Sequence, residues 1–115
     1  MSNCIFCKIA TGEIPAEKIY ESDGAFVIRD INPQAPVHFL AIPTRHYPAV
    51  HDIPQSEMAS VMGALMDAVR EAAKAAGLDA NGYRLIVNSG DIAGQTVPHL
   101  HIHILGGRDL AWPPG

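Results

Sequence analysis

Val97-Pro98-His99-Leu100-His101-Ile102-His103-Ile104-Leu105 is the stretch on which the reading of this chain turns. Histidine and aliphatic residues alternate in it with a period of two. Successive side chains of an extended strand point to opposite faces, so the pattern predicts a strand over 97–105. His99, His101 and His103 then share one face, their neighbouring rings roughly 6.6 Å apart at about 3.3 Å of rise per residue. Leu100, Ile102 and Ile104 fill the other face and pack on the core. The chain has six histidines, and three in strict alternation point to chemistry rather than packing. A metal site is one reading, because two strand histidines two apart both reach a zinc ion. Nucleophilic catalysis is another, with one imidazole attacking while its neighbours orient it and handle protons. A polar strand face in water is the plain alternative. Imidazole suits phosphorus chemistry, since an ordinary pKa near 6.5 leaves it mostly neutral and nucleophilic at pH 7.

Just upstream, Gly90-Asp91-Ile92-Ala93-Gly94-Gln95-Thr96 sets glycines, an amide and a hydroxyl beside the histidine row. Backbone N–H groups at such glycines can approach a phosphate, and Gln and Thr side chains add hydrogen bonds. An ordinary polar loop has the same composition, but next to the imidazoles a phosphate pocket is the better reading. The loop holds none of the 8 Lys plus Arg residues. Imidazolium and backbone dipoles, rather than an arginine clamp, would then meet the phosphate charge.

Outward from this region, residues Ile5 to Ala10 predict a short helical turn ending at Gly12. Ile19–Tyr20 and Ala25–Arg29 predict strands joined at Ser22-Asp23-Gly24, and Val37–Ile42 a strand bounded by Pro36 and Pro43. Met58, Val61, Met62, Leu65, Val69, Ala72, Ala73 and Ala76 recur at helical spacing, with Gly77 as the stop. Tyr83–Asn88 predicts one more strand. Strands plus one long helix, without regular alternation, give an α+β fold with a mainly antiparallel sheet.

The 115 residues form one domain, residues 1–115, able to bury a single core. With 48% hydrophobic and 17% charged residues the chain reads as globular. A formal net charge of −4 argues against general binding to nucleic acid or to a membrane surface. Met1 to Lys8 lacks the features of a signal peptide, so the expected compartment is the cytoplasm, with Cys4 and Cys7 kept reduced. Their Cys-x-x-Cys spacing fits half a zinc site, a redox pair, or small core residues.

His99-Leu100-His101-Ile102-His103-Ile104-Leu105 fits the His-φ-His-φ-His-φ-φ motif at every position, φ being apolar, and the chain thereby resembles the histidine triad (HIT) family. The likeness extends through Gly94-Gln95-Thr96, Asp30 to Leu40, Cys4 to Ile9, and Gly106-Gly107-Arg108 to Trp112-Pro113-Pro114-Gly115. The glycine pair after the triad and the Trp-Pro-Pro-Gly end resemble the nucleotide-binding (Hint) branch. The dinucleoside-polyphosphate hydrolase branch instead typically carries Pro-Arg after the triad. Pro98 departs from the eukaryotic members, which often have Tyr there.

The resemblance implies a HIT-like fold: a five-stranded sheet, one long helix, a short N-terminal helix, and sheets joined across a homodimer. It implies hydrolysis of adenosine or guanosine 5′-phosphoramidates to the nucleoside monophosphate and an amine, without a catalytic cofactor. His101 would be the nucleophile forming a nucleotidyl-imidazole intermediate and His103 would bind the α-phosphate, with His99 and His38 orienting and tuning the nucleophile. Asp30 would take the ribose hydroxyls, while Asn88, Gly94, Gln95 and Thr96 line the phosphate. Phe6, Ile9, Ile14, Ile28, Ile31 and Leu40 would hold the purine. Many microbial relatives also bind structural zinc, and the positions here are Cys4, Cys7, His46 and His99. His51 is read as a surface imidazole. Cleavage of dinucleoside polyphosphates or nucleotidyl sulfates by the same histidine is a second function, and purine nucleotide binding without turnover a third.

Overall fold

The computed structural model describes residues 3–115. Met1 and Ser2, the first residues of the stretch read above for a leader, lie outside the described residues. The apolar run Ala25–Arg29 forms strand β2, pairing on one side with β1 (Tyr20–Glu21) and on the other with β3 (Val37–Pro43). Ile102–Gly106 forms β5, which lies between β3 and β4 (Tyr83–Ile86). All pairings are antiparallel and the order is β1-β2-β3-β5-β4.

Period-two alternation gives the sheet two apolar faces. Ala25, Val27, Phe39, Ala41, Ile102 and Ile104 pack against Leu65, Ala68, Val69, Ala72 and Ala73 of the long helix α2 (Gln55–Ala75). The helical stripe is therefore core packing, as its spacing predicts. Gly77, at φ +73°, turns the chain away after α2, a conformation glycine adopts without the Cβ penalty of other residues. On the opposite face, Phe26, Ile28, Leu40 and Ile42 pack beneath Phe6 and Ile9 of α1 (Ile5–Ala10). A helix of six residues covers only part of that face, and the histidines stand beside it. Among the described residues no helix is long and apolar enough to cross a membrane.

The expected strand over 97–105 is shorter than predicted and begins at Ile102. Backbone groups just before it are satisfied elsewhere. The N–H of His99 donates to Val97 O at 2.8 Å and that of Leu100 to Tyr47 O at 2.7 Å. Pro98 has no N–H for a ladder, and the Pro43 carbonyl accepts from a histidine side chain instead. The alternation of faces nevertheless persists: Leu100, Ile102 and Ile104 enter the α2 core, and the three histidines turn to the other side.

Candidate functional site

Four of the predicted histidines form one row of contacts. His101 and His103 have ring centroids 5.0 Å apart, and His38, from β3, reaches His103 with Nε2–Nδ1 at 2.9 Å. Phe6 of α1 sets its ring edge-on against both His99 (5.6 Å) and His101 (5.3 Å), holding the two imidazoles in place from above. His99 and His101 are buried and His103 is partly buried.

Backbone groups dictate which nitrogen of each ring carries hydrogen, because a carbonyl only accepts and an N–H only donates. The His99 carbonyl accepts from His101 Nδ1–H at 2.8 Å, which leaves the Nε2 lone pair of His101 unprotonated. The Pro43 carbonyl accepts from His99 Nε2–H at 2.9 Å, so the His99 lone pair is at Nδ1. The Gln34 N–H donates to His38 Nδ1 at 3.0 Å, which puts the His38 hydrogen on Nε2, the atom that faces His103 Nδ1. His103 accepts there and keeps its own hydrogen on Nε2. The row thus holds a nucleophilic lone pair on His101 next to an N–H donor on His103.

Burial favours the neutral form of His38, His99 and His103. His103 is pushed down to about 4, first by desolvation and then by the neighbouring His101 and His38, with Asp30 opposing. His99 falls to about 4, chiefly by desolvation; the bond to Pro43 opposes, and His46 and His101 add to the lowering. Desolvation lowers His38 as well, against the pull of Asp30.

A cavity of about 310 Å³ opens onto His101 and His103 and is lined further by Phe6, Ile9, Ile28, Asp30, Ile31, Leu40, Thr96 and Val97. Five of the six residues expected to hold a base line it. Ile14, the sixth, packs on the apolar cluster beneath. Asp30 sits at the rim: its Oδ1 accepts from Asn32 N–H at 2.8 Å, and its Oδ2 lies 3.3 Å from His38 Nε2.

The predicted phosphate loop divides. Thr96 lines the cavity, whereas Gly94 and Gln95 lie outside that lining and use their own N–H groups within the loop, donating to Asp91 O and Gly90 O. The Gln95 side chain is a clasp, with Nε2 donating to Pro48 O and Val97 O and Oε1 accepting from Gly90 N–H. Asn88, also outside the lining, lies two residues beyond the end of β4, whose last pair is Ile86 with His103.

At the far end of the row the structure brings together Cys4, Cys7, His46 and His99, whose ligand atoms all lie within 4.8 Å of one another. Cys4 Sγ is 3.2 Å from His99 Nδ1, Cys7 Sγ 3.3 Å from His46 Nδ1, and the two Nδ1 atoms are 3.0 Å apart. A tetrahedral ion with bonds of about 2.0–2.3 Å needs ligand separations of about 3.3–3.8 Å, close to what is found. The His99 lone pair also points the right way, its other nitrogen being tied to Pro43. The four residues can bind a metal ion. Asp30, His38 and His103 likewise gather three donors within 4.8 Å, but the Gln34 N–H keeps hydrogen on His38 Nε2, so this group is built as a hydrogen-bond relay. His51 is exposed, 3.8 Å from Asp52 Oδ2.

Three groups essential to this geometry escaped the sequence reading: the Pro43 and His99 carbonyls and the Gln34 N–H. A backbone atom leaves no signature in residue type; only the register of β3 and the turn before β5 bring these groups to the rings.

The HIT domain family model matches residues 11–110. An uncharacterised HIT-like protein of Synechococcus elongatus is 48% identical over 111 residues, 96% of each chain. The crystal structure of a HIT family hydrolase from Legionella pneumophila superposes with a TM-score of 0.93 at 43% identity, covering 98% of this chain and 100% of that one. A histidine triad nucleotide-binding protein from Candida albicans gives 0.82 at 35% identity, covering 96% and 83%.

Proposed function

Because the chain belongs to the HIT domain family, whose Legionella pneumophila relative is a hydrolase, we propose that it hydrolyses purine nucleoside 5′-phosphoramidates. The observation that carries this reading is the pairing of the His101 Nε2 lone pair with a neutral donor, His103 Nε2–H, at the mouth of the cavity. A nucleophile and an oxyanion donor on adjacent positions are what attack at phosphorus requires. The Candida albicans relative binds nucleotide, in keeping with an apolar slot that ends in a carboxylate.

The purine lies between Phe6, Ile9, Ile28, Ile31 and Leu40, and Asp30 accepts hydrogen bonds from the ribose hydroxyls. His101 Nε2 attacks the α-phosphorus, forming an N–P bond as the P–N bond to the amine breaks. His103 donates to a non-bridging oxygen, and the Thr96 hydroxyl hydrogen-bonds the departing amine as it takes up a proton from solvent water. Water then attacks phosphorus, its oxygen forming the new P–O bond and releasing a proton to solvent while the bond to His101 breaks. Nucleoside monophosphate leaves and the imidazole is restored. Asn88, Gly94 and Gln95 support the phosphate end, Gln95 by holding the loop that presents Thr96.

The donor set of Cys4, Cys7, His46 and His99 suits zinc in a closed, structural role. It would fix the helix carrying Phe6 to the segment carrying His101, leaving His101 and His103 to the substrate. The edge strand β4 exposes Tyr83 and Leu85, with Val87 exposed just after it, and we assign this edge the homodimer contact, by which two five-stranded sheets continue into one another. We read the protein as a single HIT domain of the nucleotide-binding branch.

The test is intact-mass analysis after rapid quenching with an adenosine 5′-alkylphosphoramidate. A gain corresponding to one adenylyl group is expected in the wild type and none in His101→Asn, which should lose nearly all turnover but still bind AMP. Retention of most activity in His101→Asn eliminates His101 as the nucleophile. Equal or faster turnover of a dinucleoside polyphosphate moves the substrate class to polyphosphates.

A further inference from the structure

One hydrogen connects the two ends of the cavity. His38 is neutral and the Gln34 N–H fills its Nδ1, so Nε2 carries a single N–H with two acceptors near it: His103 Nδ1 at 2.9 Å and Asp30 Oδ2 at 3.3 Å. Asp30 Oδ1 is already occupied by the Asn32 N–H. Its Oδ2 is the oxygen left for a ligand, and the carboxylate lines the cavity together with His101 and His103. A diol that donates to this carboxylate weakens its competition for the His38 hydrogen.

We propose that Asp30 is a positioning residue that couples occupancy of the sugar end of the cavity to His103: hydroxyl donors on Asp30 release the His38 N–H entirely to His103 Nδ1. His103 is then fixed with its hydrogen on Nε2, aimed at phosphorus, when a ribose is in place. The inference rests on reading Asp30 as the sugar-binding carboxylate. It adds that the cis-diol acts on turnover as well as on affinity, through His38, so that a nucleotide lacking the diol is held but poorly processed.

The direct test is NMR of uniformly ¹⁵N-labelled protein, following the His103 imidazole nitrogens on addition of adenosine or 2′,3′-dideoxyadenosine. Neither probe has a phosphate, so any change at His103 comes from the sugar end. Adenosine should move the His103 pair toward a fully hydrogen-bonded Nδ1 acceptor and an Nε2–H, and dideoxyadenosine should not. Asp30→Asn keeps an oxygen for the Asn32 N–H and removes the competing acceptor, so this variant should show the shifted His103 signals without ligand. In steady-state assays, wild-type kcat should fall about three- to tenfold from a ribo- to a dideoxy-phosphoramidate, the scale of one hydrogen bond. That kcat ratio should collapse to about one in Asp30→Asn. A plain affinity contact would change KM alone. Adenosine that perturbs Ile28 and Leu40 signals while leaving His103 unchanged overturns the coupling and leaves the nucleotide reading intact. Failure of adenosine to bind at all overturns both.

Discussion

His103 is held neutral by its surroundings, and acid should expose the cost. Its pKa is about 4 in the folded chain, with burial as the largest cause, against about 6.5 in an unfolded one. Below pH 6.5 the unfolded chain binds a proton that the folded chain refuses until about pH 4, so stability falls as the pH drops through that window. An interval of about 2.5 pH units corresponds to about 3.4 kcal/mol once the pH is below both values. His103 is partly exposed, so solvent screening brings the loss between pH 7 and pH 5 to about 1–2 kcal/mol. The assay is urea unfolding at both pH values for the wild type and for His103→Asn, read as the change in stability at constant m. The variant should lose about 1–2 kcal/mol less than the wild type on acidification, whatever its stability at pH 7. The Asn side chain keeps an acceptor for the His38 N–H, so contributions from His38, and from release of any metal at Cys4, Cys7, His46 and His99, are largely common to both proteins. Equal losses in the two would refute the argument that a desolvated, neutral His103 is built into the fold.

Protein purified without chelators should carry close to one equivalent of zinc, and less than a tenth of an equivalent by metal analysis would remove the proposed site. Chelation or Cys4→Ser should lower the thermal midpoint by about 10 °C or more, since a structural zinc contributes several kcal/mol to a small domain. Gly107→Ala should destabilise by about 1–3 kcal/mol in denaturant titration, because Gly107 has φ +92° and an added Cβ would lie 2.9 Å from Pro36 Cβ. An alanine variant as stable as the wild type would show that the turn after β5 relaxes freely.

The order of sheet and helix was legible because its signals are local. The stripe from Met58 to Ala76 could pack in only one way, and the alternation from His99 to Leu105 fixed which side chains enter the core even where the ladder stops short. Histidine and cysteine spacing likewise pointed to the histidine row and, through resemblance, to four residues that the fold brings together and that can bind a metal ion. One expectation, the strand starting at Val97, failed because side-chain type does not reveal what the backbone is bonded to. Residues 97–101 alternate like a strand, yet the N–H groups of His99 and Leu100 are taken by the Val97 and Tyr47 carbonyls; in the same way, residue type does not reveal that the Gln95 amide clasps its own loop.

The sequence by itself determined the chemistry available: which imidazoles, thiols and carboxylate the chain owns and on which face each falls. Only the tertiary structure decided what each group can do. Whether an imidazole is a nucleophile, a donor or a ligand depends on where its one hydrogen sits. That location is set by the Pro43 and His99 carbonyls and the Gln34 N–H, main-chain atoms that residue type does not specify and that reach the rings only once the sheet has closed.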